Sequence, residues 1–403
     1  MTNKTFDNCS FCGKHKDQVK KLIVGTDVGI CNECVSFCDD LLKEEKLEDK
    51  EVKSIELDPT AIKQYLDQYV IGQEQAKISI SVAVTNHYKR IDNHVKSIEV
   101  EKSNVLVLGP TGSGKTLLAK TIAKYLDVPF VIADATSLTE AGYVGDDVET
   151  MISRLLQQSK GDVARAERGI VFIDEIDKIS RKSESASISR DVSGEGVQQA
   201  LLKLVEGTKC RVPGQGNRKH PQAEMIEVDT SNILFIAGGA FVGLDKIIQS
   251  RVSESTIGFQ GRVRTQANAD LLNQCIPDDL IKFGLIPEFI GRFVSYCATQ
   301  ELSKQQLIYV LTEIKNSYTG QYKFLFDLDK IELNFEDTAL DEIAERTLKL
   351  KTGARGLHAE MERILQPHMF YARQYHKQNI KSLNITRDLV VDPKPLGEFK
   401  LEC

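Results

Sequence analysis

No stretch of this 403-residue sequence is both long and apolar enough to span a bilayer, and its first residues, Met-Thr-Asn-Lys-Thr-Phe-Asp-Asn, hold no apolar signal core. A cytoplasmic location with no membrane contact is the expectation. Long runs of lysine or arginine are missing too, and the formal net charge is -6. Neutralisation of phosphates dominates affinity for nucleic acid, so this balance argues against a protein whose main work is to coat it, although a local basic channel stays compatible with the count. No peptidase centre is visible. The nine cysteines are unevenly placed in a large chain without a secretion signal, which excludes the dense disulfide framework of a small secreted domain. What remains is an ordinary globular composition in a chain longer than one hydrophobic core usually serves, so two or three domains are expected.

The strongest motif lies between a short apolar run, Val105 to Leu108, and a stretch with Leu117, Leu118, Ile122 and Ala123 at helical spacing. It reads Gly109-Pro110-Thr111-Gly112-Ser113-Gly114-Lys115-Thr116. Glycines let successive backbone N–H groups converge on the β- and γ-phosphates of a nucleoside triphosphate, and the following helix N-terminus points at them. Lys115 adds a mobile positive charge and Thr116 a hydroxyl for Mg²⁺. An NTPase is expected, with a nucleoside triphosphate and Mg²⁺ bound along Gly109 to Leu117.

Three further aliphatic runs, Pro129 to Ala135, Gly169 to Ile173 and Asn232 to Ala237, do not alternate. Strands buried on both faces belong to parallel sheets covered by helices, so an open α/β sheet is the economical fold. One covering helix is expected from Ser193, its N-cap, to a stop at Gly207, with Val197, Leu201, Leu204 and Val205 on one face. The third run ends in Asp174-Glu175, at the carboxyl end of a strand, where ligands of such sheets bind. Asp174 is expected to hold Mg²⁺ through water and Glu175 to orient and deprotonate the attacking water.

Near the amino terminus Cys9, Cys12, Cys31 and Cys34 form two C-x₂-C pairs separated by eighteen residues, the spacing of a four-thiolate Zn²⁺ site. Four thiolates fill a tetrahedral shell, so the site is structural and its work is to shape a binding surface. So short a segment depends on its metal, whose apparent binding free energy in such modules is about 10–16 kcal/mol. Cys38, one turn beyond Cys34, reads as packing. Phe6, Phe11, Val35 and Phe37 offer an apolar surface that suits protein better than nucleic acid. From Asp39 to Asp58 the chain is rich in Glu, Asp and Lys and reads as a helix tail passing into a solvated linker.

The phosphate loop together with Ile-Val-Phe-Ile-Asp-Glu-Ile-Asp resembles the AAA+ ATPases, and further segments resemble the ClpX family of protein unfoldases, over essentially the whole chain. That resemblance implies a large AAA+ domain at 51–300, a smaller, mainly helical domain at 301–403, and a zinc-binding domain with the start of a linker at 1–50. It implies that Val70 and Ile71, in Tyr69-Val-Ile-Gly-Gln73, pack on adenine; that Tyr143 and Val144 grip a polypeptide in a pore; and that Arg218, Lys219 and His220 stand at the pore entrance. Ile257, Gly258 and Phe259 correspond to a loop that docks on a ClpP-like peptidase. Arg292 matches an arginine finger reaching the nucleotide of the next subunit of a homohexamer, and Arg355 a second sensor over the nucleotide. From the residues alone, the same segments also fit a turn with a buried tyrosine, a solvated basic loop, a self-packed hairpin, and arginines that cap helices or pair with carboxylates. Ile236-Ala-Gly-Gly-Ala240 departs from the many AAA+ proteins that end the fourth strand with a polar residue, so no first-sensor side chain is assigned. The implied activity is ATP-driven unfolding of tagged proteins, or of proteins delivered by adaptors through the zinc module. The alternative is an AAA+ nucleic-acid motor with a zinc finger; the aromatic Tyr143 and the acidic net charge favour protein as substrate.

Overall fold

Two antiparallel strands of three residues, β1 (Leu22–Val24) and β2 (Gly29–Cys31), are the sheet of the amino-terminal unit. The computed structural model describes residues 7–25, 28–38, 57–92, 98, 100–139, 146–180, 194–213, 225–254 and 271–395, and the chain divides into two units, Met1–Glu56 and Leu57–Cys403. In the first unit residues 32–38 are helical, while Phe11, Ile23, Val24, Val28 and Phe37 are exposed. Its most buried apolar side chains are Cys9 and Cys31. So little apolar burial leaves the cysteines to organise the fold. Most of the acidic linker expected at Asp39 to Asp58 lies outside the described residues.

The second unit opens with helix α1 (Pro59–Asp67), capped by the Asp58 carboxylate on Thr60 N–H, and the long helix α2 (Glu74–Asp92). A five-stranded sheet follows from β3 (Asn104–Leu108), β4 (Phe130–Asp134), β5 (Ile170–Asp174), β6 (Leu234–Gly239) and β7 (Phe293–Ala298). Its order is β7-β3-β6-β5-β4, with every pair parallel. Leu106, Leu108, Val171, Ile173, Phe235 and Ala237 share one core with Met151, Ile152 and Leu155 of α4 (Thr150–Gln158) and Val197, Leu201 and Leu204 of α5 (Glu195–Glu206). The alternate residues Val105, Val107, Ile170, Phe172, Leu234 and Ile236 are buried as well. Burial of both faces is why these strands read as continuous apolar runs.

Several boundaries differ from the sequence reading: β4 spans Phe130–Asp134 rather than Pro129 to Ala135, and β5 spans Ile170–Asp174 rather than Gly169 to Ile173. β6 begins at Leu234 rather than Asn232 because Asp229 caps a helical turn over Thr230–Asn232, accepting Ser231 N–H at 2.9 Å. The covering helix α5 begins at Glu195 behind Gly194 and stops at Gly207, whose φ is 113°; Ser193 lies outside the described residues.

A second apolar core gathers α6 (Lys304–Thr312), α7 (Tyr318–Leu328), the paired parallel strands β8 (Glu332–Phe335) and β9 (Ser382–Ile385), α8 (Asp337–Leu350) and α9 (Ala354–Lys377). Ser303 and Gln306 cap α6 reciprocally. No helix among the described residues is long and apolar enough to cross a membrane.

Candidate functional site

The carboxyl ends of β3, β5 and β6 meet at one edge of the sheet. There the phosphate loop leaves β3, and helix α3 (Lys115–Tyr125) starts from Gly114 in a left-handed conformation. Gly109 N–H donates to Gly239 O at 3.1 Å, tying the loop to β6. Two of the glycines are required by close approach. A Cβ on Gly109 would fall 2.4 Å from Thr299 O, and one on Gly112 2.9 Å from the Cα of Gly353, with φ already at 141° and 77°.

Lys115 is buried, and its Nζ donates to Gly109 O and Pro110 O at 2.7 and 2.9 Å. Burial lowers its pKa; the charges of Asp174, Asp177 and Glu175 oppose that shift, and Arg355 adds to it. These five side chains therefore share one electrostatic neighbourhood. Thr116 Oγ1 donates to Asp174 Oδ2 at 3.2 Å, which sets two hard oxygen donors side by side, and Asp174 Oδ1 accepts Glu175 N–H at 3.0 Å. Glu175 itself sits at φ 55°, ψ 33°. A glycine cradle that a Cβ would fill, a buried ammonium and a hydroxyl–carboxylate pair fit a Mg²⁺–triphosphate.

The Tyr69–Gln73 segment reaches the same place. Val70 is buried and lies beside Gly114, while Ile71 packs on the second core. The sequence reading did not single out the side chain of Gln73. Its amide donates to Ser113 O at 3.2 Å and Gln300 O at 2.8 Å and accepts Gln300 N–H at 2.8 Å. Thr299 was missed too; its hydroxyl is 2.7 Å from that of Ser113. From the other side Ala354 N–H donates to Gly112 O at 3.1 Å, so the start of α9, with exposed Arg355 in its first turn, abuts the loop. Thr111 and Leu117 are exposed at the rim.

Arg292 is not part of this cluster. Its carbonyl accepts from Asn104 N–H and Nδ2, at the amino end of β3, and its half-exposed guanidinium pairs with Glu206 at 2.6 Å. Five residues of β3 at about 3.3 Å each separate that point from Gly109, about 17 Å along the strand. Tyr143, Val144, Arg218, Lys219, His220, Ile257, Gly258 and Phe259 lie outside the described residues.

In the amino-terminal unit the sulfurs of Cys9, Cys12, Cys31 and Cys34 all lie within 4.8 Å of one another. Cys9 and Cys34 are 3.9 Å apart and Cys12 and Cys31 3.7 Å. Four sulfurs about 2.3 Å from a central Zn²⁺ would be about 3.8 Å apart, so the spacing fits the ion. Burial opposes the Cys9 thiolate, yet backbone N–H groups of Cys12, Cys31 and Phe11 outweigh it and bring that thiol down to about 6. Cys34 is shifted the other way, by burial and the neighbouring sulfurs.

Three family models match the chain: an AAA domain (Cdc48 subfamily) over residues 100–296, the C-terminal, D2-small domain of ClpB protein over 302–386, and the ClpX C4-type zinc finger over 7–44. The first spans the phosphate loop, Asp174, Glu175 and Arg292, and with the parallel sheet it makes this chain an AAA+ ATPase. The zinc finger in the same chain, with the small domain following the AAA domain, is consistent with an ATPase of the ClpX type.

Proposed function

We propose that the chain is an ATP-dependent protein unfoldase and translocase that works as a homohexamer and feeds tagged or adaptor-delivered proteins to a ClpP-like peptidase. The observation that carries the reading is the pairing of the ClpX-type zinc finger with a phosphate loop, a buried Lys115 and the Thr116–Asp174 pair in one chain. Residues 51–300 act as the large motor domain, 301–403 as the small domain that closes over the nucleotide, and 1–50 as the zinc module that receives adaptors.

In the hydrolytic step Glu175 takes a proton from water as its oxygen attacks the γ-phosphorus; the bond from that phosphorus to the bridging oxygen breaks, leaving ADP and inorganic phosphate. Lys115 and the loop N–H groups hold the phosphates. Thr116 and Asp174 would hold a Mg²⁺ ion, which would supply charge neutralisation. Val70 and Ile71 bind the base, and Arg355 reports nucleotide state to the second core. Arg292 serves the site of the adjacent copy, a role supported by its position at the opposite end of β3 from its own loop. The force is delivered by Tyr143 and Val144, with Arg218, Lys219 and His220 selecting chains at the entrance and Ile257, Gly258 and Phe259 docking the peptidase.

The test is a stably folded fluorescent reporter with an unstructured tag, mixed with the protein and ATP. Wild type is expected to extinguish the fluorescence, and Glu175→Gln to bind ATP and leave the reporter folded. A wild-type protein that hydrolyses ATP but leaves the reporter intact, while duplex DNA strongly stimulates it, would establish the nucleic-acid motor instead.

A further inference from the structure

β6 ends beside the catalytic carboxylates in Gly238 and Gly239, and Ala240 follows, so the strand tip carries no polar side chain. The packing explains why. A Cβ on Gly238 would lie 2.7 Å from the Phe172 ring, and one on Gly239 would lie 2.6 Å from both Asp177 Oδ1 and the Phe241 ring. Neither position admits a side chain without displacing its neighbour. The polar group at this point comes from the turn after β5. Asp177 is only 7% exposed, and its Oδ1 accepts Ala240 N–H at 3.1 Å. At the same strand end Gly239 O accepts Gly109 N–H at 3.1 Å. A continuous chain of contacts therefore runs from the turn that holds Glu175, through Asp177, across the tip of β6 and into the phosphate loop.

We propose that Asp177 is a positioning residue for ATP hydrolysis: its carboxylate fixes the Glu175 turn to the tip of β6, taking the place of the polar side chain that β6 lacks. Glu175 occupies a left-handed conformation, which a non-glycine residue keeps only where its surroundings hold it. Asp174 holds the front of the turn through Glu175 N–H, and Lys178 N–H closes it on Glu175 O at 2.9 Å. Behind it the Ser180 hydroxyl donates to Asp177 O at 2.8 Å and the Gln198 amide to Ile179 O at 2.8 Å. These bonds shape the turn or anchor its far end to α5. The Asp177 carboxylate is what registers it against β6, so a shift in the phosphate loop that moves Gly109 and Gly239 is passed to Glu175. Asp177 touches no reacting atom in this scheme and acts through Glu175.

The inference rests on the reading of Glu175 as general base, and the experiment separates the two. Steady-state ATPase kinetics are measured on the full-length protein for Asp177→Ala, Asp177→Asn, Glu175→Gln and the double variant Asp177→Ala with Glu175→Gln, with thermal melts as a check on folding. Asp177→Ala is expected to lower kcat at least about tenfold while KM for ATP moves less than about twofold. Asp177→Asn, whose amide oxygen still accepts Ala240 N–H, is expected to stay within about threefold of wild-type kcat. In the double variant the Ala substitution takes nothing further from the residual rate, because its effect passes through Glu175. Wild-type kcat in Asp177→Ala, a change confined to KM, or full additivity in the double variant would overturn the proposal. If Asp177→Ala does not fold, Asp177→Glu carries the same expectation, since the added methylene pushes the turn away from β6, and unchanged kcat there overturns it equally. Hydrolysis retained in Glu175→Gln would instead sink the general-base reading itself.

Discussion

Lys115 and His87 show how differently burial acts on two titratable side chains. At Lys115 three carboxylates oppose, without cancelling, the desolvation that lowers its pKa, and its Nζ is held against the loop carbonyls of Gly109 and Pro110. Lys115→Ala is expected to reduce ATP hydrolysis at least about a hundredfold, measured as phosphate release, since the group touches the transferred charge. His87, on α2, is buried with Nε2 3.0 Å from Asn232 O, and burial, reinforced by the charge of Arg90, pushes its pKa from 6.5 down to about 3. The unfolded chain therefore binds a proton that the folded chain refuses between those values. Stability is fully present above about pH 6.5 and falls by about 1.4 kcal/mol per unit as pH drops below it. His87→Gln should flatten the dependence of melting temperature on pH between about 6.5 and 5; an unchanged slope would show that other groups set it. Residue-level legibility followed chain locality. Lys115, Thr116, Asp174 and Glu175 carry their chemistry within short contiguous motifs, whereas the contacts of Gln73 and Asp177, which end such motifs, and of Thr299 are made with partners distant in sequence, 227 positions in the case of Gln73 and Gln300.

At the scale of elements, β3, β5 and β6 were readable because burial on both faces leaves an uninterrupted aliphatic signal, whereas the edge strand β4 alternates in burial and leaves Ile132 exposed. Strand ends were less readable, since a capped turn such as Thr230–Asn232 is built from the same residue types as a strand entry. The meeting of the phosphate loop with the start of α9 was readable only through the resemblance that puts Arg355 over the nucleotide: it is a backbone-to-backbone approach of Gly112 and Gly353, and glycines carry no periodic signal. Gly112→Ala is expected to weaken ATP binding at least about tenfold, because the methyl group meets Thr352 and Gly353 and the φ of 77° is strained. Titration with a fluorescent nucleotide checks this, and wild-type affinity would mean that the contact yields freely. The two three-residue strands of the zinc module make the opposite case, an element held by its ligands. A strong chelator should release one Zn²⁺ per chain and unfold 7–38 while ATP hydrolysis persists; metal release from a variant lacking Cys34 tests the same dependence.

For the whole molecule, the proposed function pairs a metal-built recognition module with an ATPase site that Arg292 of another copy would complete. Arg292 is decisive because β3 separates it from its own phosphate loop, and a charge that serves transition-state stabilisation has to come within contact of the γ-phosphate. The resemblance names the finger from sequence; the location of Arg292 at the far end of the strand from its own loop is what the proposed action in trans requires. The most direct measurement mixes two inactive chains, Lys115→Ala and Arg292→Ala, and follows unfolding of the tagged fluorescent reporter with ATP. Each variant alone should leave the reporter folded, and the mixture should regain unfolding, because intact Lys115 of one copy then meets intact Arg292 of its neighbour. A mixture that stays inactive although the chains co-assemble, or an Arg292→Ala protein that unfolds the reporter at the wild-type rate by itself, would contradict a shared site driving protein unfolding.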